Sequence, residues 1–153
     1  MIGVAQEYAA GEHLTASESE TARLASELAG GLRGGDVVLL YGDLGAGKTA
    51  FVKGLAGGLG ISGDEVSSPT FVLLKTHGGR SGTLLLHHAD LYRLTGNGDE
   101  EELGLADLPG WNGVLAVEWA ERLERPPWSR WWKVELKHAG EDQRRIRIQE
   151  VTA

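Results

Sequence analysis

A chain of 153 residues has room for one ordinary hydrophobic core, so we predict a single domain over residues 1–153. Hydrophobic residues make up 41% and charged residues 24%, which excludes a chain that is disordered throughout. The apolar runs are far shorter than the roughly 20 residues of a membrane-spanning helix, so no membrane association is expected. No secretory signal pattern is visible, and the absence of cysteine excludes thiolate chemistry, so we expect a cytoplasmic protein.

The formal net charge of −7 is unevenly distributed along the chain. Residues 122–147 carry eight basic and four acidic side chains, whereas the remainder is strongly acidic. An acidic body repels a phosphate backbone, so the chain alone should bind nucleic acid poorly. The basic carboxyl-terminal part suits docking to another protein or to a bound polyanion.

The amino-terminal part predicts a helix followed by a buried strand. Ser17 and Glu20 form a capping-box pattern that opens a helix through Thr21–Leu32. The glycine pair at 34–35 is expected to end this helix. The apolar run Asp36–Tyr41 then predicts a central strand that is buried on both faces.

The middle of the chain predicts further alternation of strands and helices. Residues 62–70 contain Ser-Ser-Pro-Thr and predict a loop. Strands are predicted at Phe71–Thr76 and Thr83–His88, a short helix at Asp99–Leu105, and a buried strand at Val114–Val117.

The carboxyl-terminal part predicts two alternating strands, Trp131–Lys137 and Arg144–Gln149, joined as a hairpin by Ala139–Asp142. Strands that alternate with helices favour parallel pairing with crossover connections. The expected fold is therefore α/β, with a mainly parallel sheet flanked by helices and a carboxyl-terminal antiparallel hairpin.

The sharpest motif lies between the strand that ends at Tyr41 and a helix predicted over Lys48–Gly57. It matches GxxxxGK[ST], the phosphate-binding loop, and its residues are Gly42, Asp43, Leu44, Gly45, Ala46, Gly47, Lys48 and Thr49. The glycines let backbone N–H groups line an anion site, towards which the helix directs its positive end. Lys48 is expected to bind the β- and γ-phosphates, and the Thr49 hydroxyl to bind magnesium.

Two acidic residues follow apolar strands downstream of this loop, where a phosphate-cleaving site needs a carboxylate. Asp90 and Glu118 should both emerge at the carboxyl edge of the sheet, where α/β sites form. One of them is expected to bind magnesium and the other to orient water, although either could instead cap a turn. The sequence does not separate the two roles.

Four further residues are candidates for the same site. Thr70 lies in a loop where nucleotide-dependent switches place a hydroxyl that contacts the γ-phosphate, or it simply begins a strand. His87 and His88 invite a metal-binding interpretation, but neighbours on a strand point to opposite faces, so at most one faces any site. Trp119 could be an adenine platform, a partner contact or a core residue.

Three tryptophans, Trp128, Trp131 and Trp132, lie among basic residues near the carboxyl terminus. Such a pattern resembles a surface that stacks nucleic-acid bases. On alternating strands, however, packing with solvated basic neighbours is the favoured interpretation.

Taken together, the motifs resemble the TsaE (YjeE) family of small bacterial P-loop ATPases. The resemblance rests on GDLGAGKT at 42–49, SSPTF at 67–71, HHADLYRL at 87–94, the acidic segment at 101–105 and VEW at 117–119. It covers about residues 36–120, whereas the tail from 121 is only loosely similar.

The resemblance implies an ATPase that supports threonylcarbamoyladenosine formation in tRNA by acting on a TsaD–TsaB heterodimer, with ATP and Mg²⁺ as cofactors and tRNA contacted only indirectly. It implies that Glu118 binds magnesium, Asp90 is a catalytic or metal-linked acid, and Thr70 is switch-like. Trp119 would lie near the nucleotide. The adenine is expected near Leu14–Ser17 and the basic tail loop.

The residues bear on three other functions. A small-molecule kinase needs an arginine-bearing lid, but acids dominate residues 90–114. A GTPase would carry an Asn-Lys-x-Asp motif, which the sequence lacks. A nucleotide-dependent adaptor, for which hydrolysis is incidental, remains an alternative.

Overall fold

The computed structural model describes residues 9–43, 45–62, 66, 74–78, 83–92 and 104–153. The strands and α-helices in these residues are β1 (Gly11–Thr15), α1 (Glu18–Ala29), β2 (Val37–Tyr41), α2 (Lys48–Gly58), β3 (Leu74–His77), β4 (Leu85–Asp90), β5 (Gly113–Glu118), β6 (Arg130–His138) and β7 (Arg144–Thr152). Short 3-10 turns lie at Leu105–Asp107 and Ala120–Arg122.

The described strands form one sheet in the order β1-β7-β6-β2-β5-β4-β3. Its four central strands, β6, β2, β5 and β4, pair in parallel. The outer strands pair antiparallel, β3 with β4 at one end and β7 with β6, then β1 with β7, at the other. The predicted α/β fold with a parallel core and a carboxyl-terminal antiparallel hairpin is confirmed.

Strand β2 lies at the centre of the sheet because its sequence, VVLLY, is apolar at successive positions. Val38 and Leu40 pack into the core under α1 and α2. Val37 and Leu39 pack into a second core on the opposite face. In the described residues, 3-10 turns and loop segments rather than α-helices cover that second face, so the helical layer is one-sided.

Helix α1 begins as the capping box predicts but ends earlier than predicted. The Ser17 Oγ accepts a hydrogen bond from the Glu20 N–H at 3.1 Å, which fixes the start. The predicted end at the glycine pair 34–35 is wrong, because the helix stops at Ala29, directly before Gly30 and Gly31. Glycine loses the most backbone freedom in a helix, so the first glycine pair ends it.

The predicted strands are confirmed, with shifted bounds. Strand β4 runs from Leu85 to Asp90 instead of Thr83–His88, and β3 overlaps the end of the predicted Phe71–Thr76. Residues 71–73, most of the predicted loop 62–70 and most of the predicted helix Asp99–Leu105 lie outside the described residues.

Strand β1 was not predicted from the sequence. It pairs with β7 over five residues, from Gly11 opposite Ile148 to Thr15 opposite Arg144, and it leads directly into the cap of α1. Across the described ranges, no helix has both the length and the apolar character needed to cross a membrane.

Candidate functional site

The glycine loop connects β2 to α2, as its motif predicts. Gly47 has φ 101°, a left-handed conformation that favours glycine. Its carbonyl accepts from the Phe51 N–H at 2.9 Å, the first hydrogen bond of α2. A Cβ atom on Gly42 would lie 2.6 Å from the Leu136 carbonyl oxygen of β6, so the loop can lie this close to β6 only without a side chain there.

Helix α2 presents its amino terminus to the concave side of this loop. The first-turn N–H groups of a helix have no partner within the helix and carry its positive partial charge. No acidic residue lies in the first turn of α2 to neutralise that charge. The arrangement therefore favours an anion such as a phosphate group.

Lys48 lies at this helix start and is only 5% exposed. Its ammonium donates hydrogen bonds to the carbonyls of Gly42 and Asp43 and lies 3.8 Å from the centre of the Trp119 ring. Burial lowers the pKa of Lys48 below its ordinary value, against the opposing effect of neighbouring carboxylates, of which Glu121 is the largest. Lys48 is thus a buried side chain whose ammonium lies beside the loop.

Thr49 and Glu118 are in contact at the start of α2. The Thr49 hydroxyl donates to Glu118 Oε1 at 3.1 Å, and Glu118 is 2% exposed at the end of β5. Its second oxygen, Oε2, lies 2.5 Å from His88 Nε2. A hydroxyl and a carboxylate oxygen in contact are hard oxygen donors of the kind that Mg²⁺ prefers.

Asp90 ends β4 directly beside Glu118, since the two residues are register partners. Asp90 is 7% exposed, and its Oδ1 accepts a hydrogen bond from the Tyr92 N–H at 2.9 Å. The two carboxylates thus emerge together at the carboxyl edge of the sheet, as predicted. Among the described residues, no group of three or more His, Cys, Asp or Glu side chains is placed to hold a metal.

Trp119 follows Glu118 in a left-handed conformation, with φ 59° and ψ 42°. A non-glycine residue rarely adopts this conformation. The Trp119 ring lies over Lys48, and its centre is 4.9 Å from the centre of the Tyr92 ring.

Glu121, in the next turn, accepts a hydrogen bond from the Gly42 N–H at 3.1 Å. No motif marks Glu121, so it was not among the predicted site residues.

An open cavity of about 230 Å³ adjoins the loop. Three parts of the chain line it, and they supply Ala16, Ser17, Glu18 and Thr21 at the start of α1, Gly45, Gly47 and Ala50 around the loop, and Asp142 and Arg144 in the tail hairpin. Arg144 bridges two of these parts, because its guanidinium donates to the Gly45 carbonyl at 3.1 Å and to its own turn at Gln143.

Two predicted site residues, Leu44 and Thr70, lie outside the described residues.

The adjacent histidines, His87 and His88, point to opposite faces of the sheet, as predicted. His88 contacts Glu118, whereas His87 lies 2.9 Å from the Thr76 hydroxyl. Burial lowers the pKa of His87 below its ordinary value.

The tail tryptophans pack in the protein, in agreement with the favoured interpretation. Trp132 is buried in the core under the helices. Trp128 and Trp131 pack against the second core, and the Trp128 indole N–H donates to the Leu108 carbonyl at 2.8 Å.

A parallel central strand, a glycine loop and a helix that begins at Lys48 place the chain in the class of P-loop NTPase-like α/β folds. The family model described as threonylcarbamoyl adenosine biosynthesis protein TsaE matches residues 15–146. The chain belongs to the TsaE family.

Individual relatives agree with this assignment. The chain is 42% identical to the tRNA threonylcarbamoyladenosine biosynthesis protein TsaE of Bacillus subtilis over 132 residues, 86% of this chain and 80% of that protein. It is 46% identical to the TsaE protein of Treponema pallidum over 107 residues, 70% of this chain and 76% of that protein. The crystal structure of YdiB from Bacillus subtilis superimposes with a TM-score of 0.68 at 35% identity, covering 93% of this chain and 85% of YdiB.

Proposed function

We propose that this protein binds and hydrolyses ATP with Mg²⁺, as an accessory protein of tRNA threonylcarbamoyladenosine biosynthesis. The observation that carries the proposal is the convergence of a cation and a hydroxyl–carboxylate pair on one helix start. Lys48 donates to the loop carbonyls of Gly42 and Asp43, and the next residue, Thr49, donates to Glu118. Membership of the TsaE family supports the biosynthetic role.

In this proposal the loop amides and Lys48 bind the β- and γ-phosphates. Phosphate oxygens carry more negative charge than the Gly42 and Asp43 carbonyls, so they compete effectively for the Lys48 ammonium. The amides of the first turn of α2 add the positive end of the helix dipole. Binding therefore places the terminal phosphate at the edge of the sheet where Asp90 and Glu118 emerge.

Thr49 and Glu118 are the residues that would hold Mg²⁺, which P-loop proteins bind with a few oxygen ligands from the protein and the rest from phosphates and water. When bound, Mg²⁺ neutralises charge on the phosphate oxygens. Asp90 lies beside Glu118 and is assigned to orienting the attacking water. The water oxygen bonds to the γ-phosphorus as the bond to the β,γ-bridging oxygen breaks, yielding ADP, inorganic phosphate and a proton.

The cavity beside Gly45 is assigned to the nucleoside. It lies next to the phosphate loop and has both the segment after Leu14 and the tail loop in its wall, the two regions expected from the sequence to contact adenine. A mostly preformed concavity with a few polar side chains is the usual form of a nucleobase site.

The proposed partner is a TsaD–TsaB heterodimer, with tRNA contacted only through that complex. The resemblance to the TsaE family supports this assignment, and the excess of acidic residues outside the tail argues against direct binding to tRNA.

The test measures phosphate release from ATP with and without a purified TsaD–TsaB pair, with Glu118→Gln as the matched inactive variant. We expect slow, Mg²⁺-dependent release by the protein alone and faster release with the pair. Transfer of phosphate to a small molecule without the pair would favour a kinase instead. An adaptor would be favoured if Glu118→Gln abolished hydrolysis and left threonylcarbamoyladenosine formation unchanged.

A further inference from the structure

His88 is a fully buried polar side chain that the proposed hydrolysis does not use. It lies on β4, between β5 and β3 in the described sheet, with an exposed fraction of 0%, and its Nε2 is 2.5 Å from Glu118 Oε2. A carboxylate oxygen has no proton to give, so the ring N–H is the donor. A hydrogen bond from a buried ring N–H to a charged carboxylate is among the stronger side-chain hydrogen bonds.

The sheet register makes this contact possible. His88 pairs with Ala116 on the neighbouring strand, two positions before the Asp90–Glu118 pair, so His88 and Asp90 share one face. Glu118 therefore has His88 on one oxygen and Thr49 on the other. Its carboxylate is held at both ends and cannot rotate without breaking one of the two bonds.

The other ring nitrogen, Nδ1, is buried and has no hydrogen-bond partner among the residues described. A buried polar atom without a partner destabilises the folded state, and an aliphatic side chain of similar size would avoid that cost. The imidazole of His88, unlike an aliphatic side chain, can donate a hydrogen bond to Glu118.

We propose that His88 is a positioning residue that fixes the Glu118 carboxylate so that Oε1 faces Thr49 and the proposed Mg²⁺ site. This inference rests on the proposed function. Side chains that hydrogen-bond to metal ligands orient them, and losing one typically costs about 10- to 100-fold in metal affinity.

The experiment measures Mg²⁺ affinity by calorimetry in the presence of ADP, so that no turnover is involved. His88→Leu removes the donor, and His88→Gln keeps an N–H near the position of Nε2. We expect His88→Leu to weaken Mg²⁺ binding about 10-fold or more, to leave ADP affinity without metal unchanged, and to lower kcat without changing KM for ATP. His88→Gln should restore most of the metal affinity.

His87→Leu is the matched control, because His87 is the adjacent histidine on the opposite face and contacts Thr76. It should bind Mg²⁺ as the wild type does. Equal Mg²⁺ affinity in His88→Leu and the wild type would overturn the positioning role while leaving the proposed function intact. If the wild type itself binds no Mg²⁺ with ADP, the proposed function fails instead.

A second measurement on the wild type covers the case in which His88→Leu does not fold. The 15N resonance of His88 Nε2, assigned by its loss in His88→Gln, should shift when Mg²⁺ is added to the ADP complex, because the metal withdraws charge from Glu118. If Mg²⁺ binds and this resonance stays in place, the proposed role of His88 is wrong.

Discussion

The Lys48 ammonium and the Trp119 indole ring are stacked, with 3.8 Å between the nitrogen and the ring centre. The contact joins the phosphate loop to the residue that directly follows Glu118. Trp119 has a left-handed backbone conformation directly after β5. Its contact with Lys48 therefore links the carboxyl end of β5 to the cation of the phosphate loop. A cation–π contact away from water contributes up to about 2 kcal/mol, so a movement of the Lys48 ammonium towards a bound phosphate should also move Trp119.

Replacing Lys48 with alanine should weaken ATP binding. A hydrogen bond to a charged group contributes about 1.5–3 kcal/mol, so we expect a loss of roughly 10- to 100-fold in affinity, measured by calorimetry. Lys53→Ala is the control, because Lys53 lies on the same helix with an exposed side chain. Equal ATP affinity in Lys48→Ala and the wild type would remove Lys48 from the phosphate site.

Glu118→Gln and Asp90→Asn should each allow ATP binding and block turnover. Both variants keep the shape of the side chain and remove the charge that the proposed reaction needs at the sheet edge. We expect kcat to fall about 100-fold or more, measured as phosphate release at saturating ATP. Glu124→Gln changes an exposed carboxylate nearby and should retain wild-type kcat. Full activity in either test variant would exclude that residue from catalysis.

Arg144→Ala should weaken ATP binding more than it weakens binding of inorganic triphosphate. Arg144 lines the cavity assigned to the nucleoside and donates a hydrogen bond to the Gly45 carbonyl. Loss of one hydrogen bond changes affinity by several-fold. Arg145→Ala is the control, because the neighbouring side chain is exposed. Equal losses for ATP and triphosphate would place Arg144 with the phosphates instead of the base.

The phosphate loop and the two carboxylates were predictable because their signals are local. A fixed spacing in eight consecutive residues defines the loop, and parallel strands that end in Asp90 and Glu118 necessarily meet at one edge of the sheet. The contact between His88 and Glu118 was not predictable in the same way. The two residues are thirty positions apart in the sequence. Their contact depends on how β4 and β5 are aligned in the sheet, and the composition of the two strands does not specify that alignment.

Two other features escaped prediction for related reasons. Strand β1 is five residues with little alternation, and its partner β7 is the last strand along the chain, so nothing local marks it. The end of α1 was misplaced because two glycine pairs follow the helix, and the first of them suffices to stop it.

Helix α2 carries the loop amides, and its position depends on a close approach to α1 at Gly54. A Cβ atom there would lie 2.2 Å from the Ala22 carbonyl oxygen and 2.6 Å from the Ala22 Cα. Gly54→Ala should therefore push the helices apart and lower the free energy of unfolding by about 1–3 kcal/mol. The displaced helix should also bind ATP more weakly.

Gly57→Ala is the matched control on the same helix, because a Cβ atom at Gly57 meets no atom within 4 Å. With no strain added, the smaller freedom of alanine in the unfolded chain should raise the free energy of unfolding by about 0.4–1 kcal/mol. Urea denaturation measures both changes in the free energy of unfolding, provided that the variants and the wild type have the same m-value. If Gly54→Ala proved as stable as Gly57→Ala, the two helices could not pack as closely as the structure has them, and the placement of the loop by α2 would need another cause.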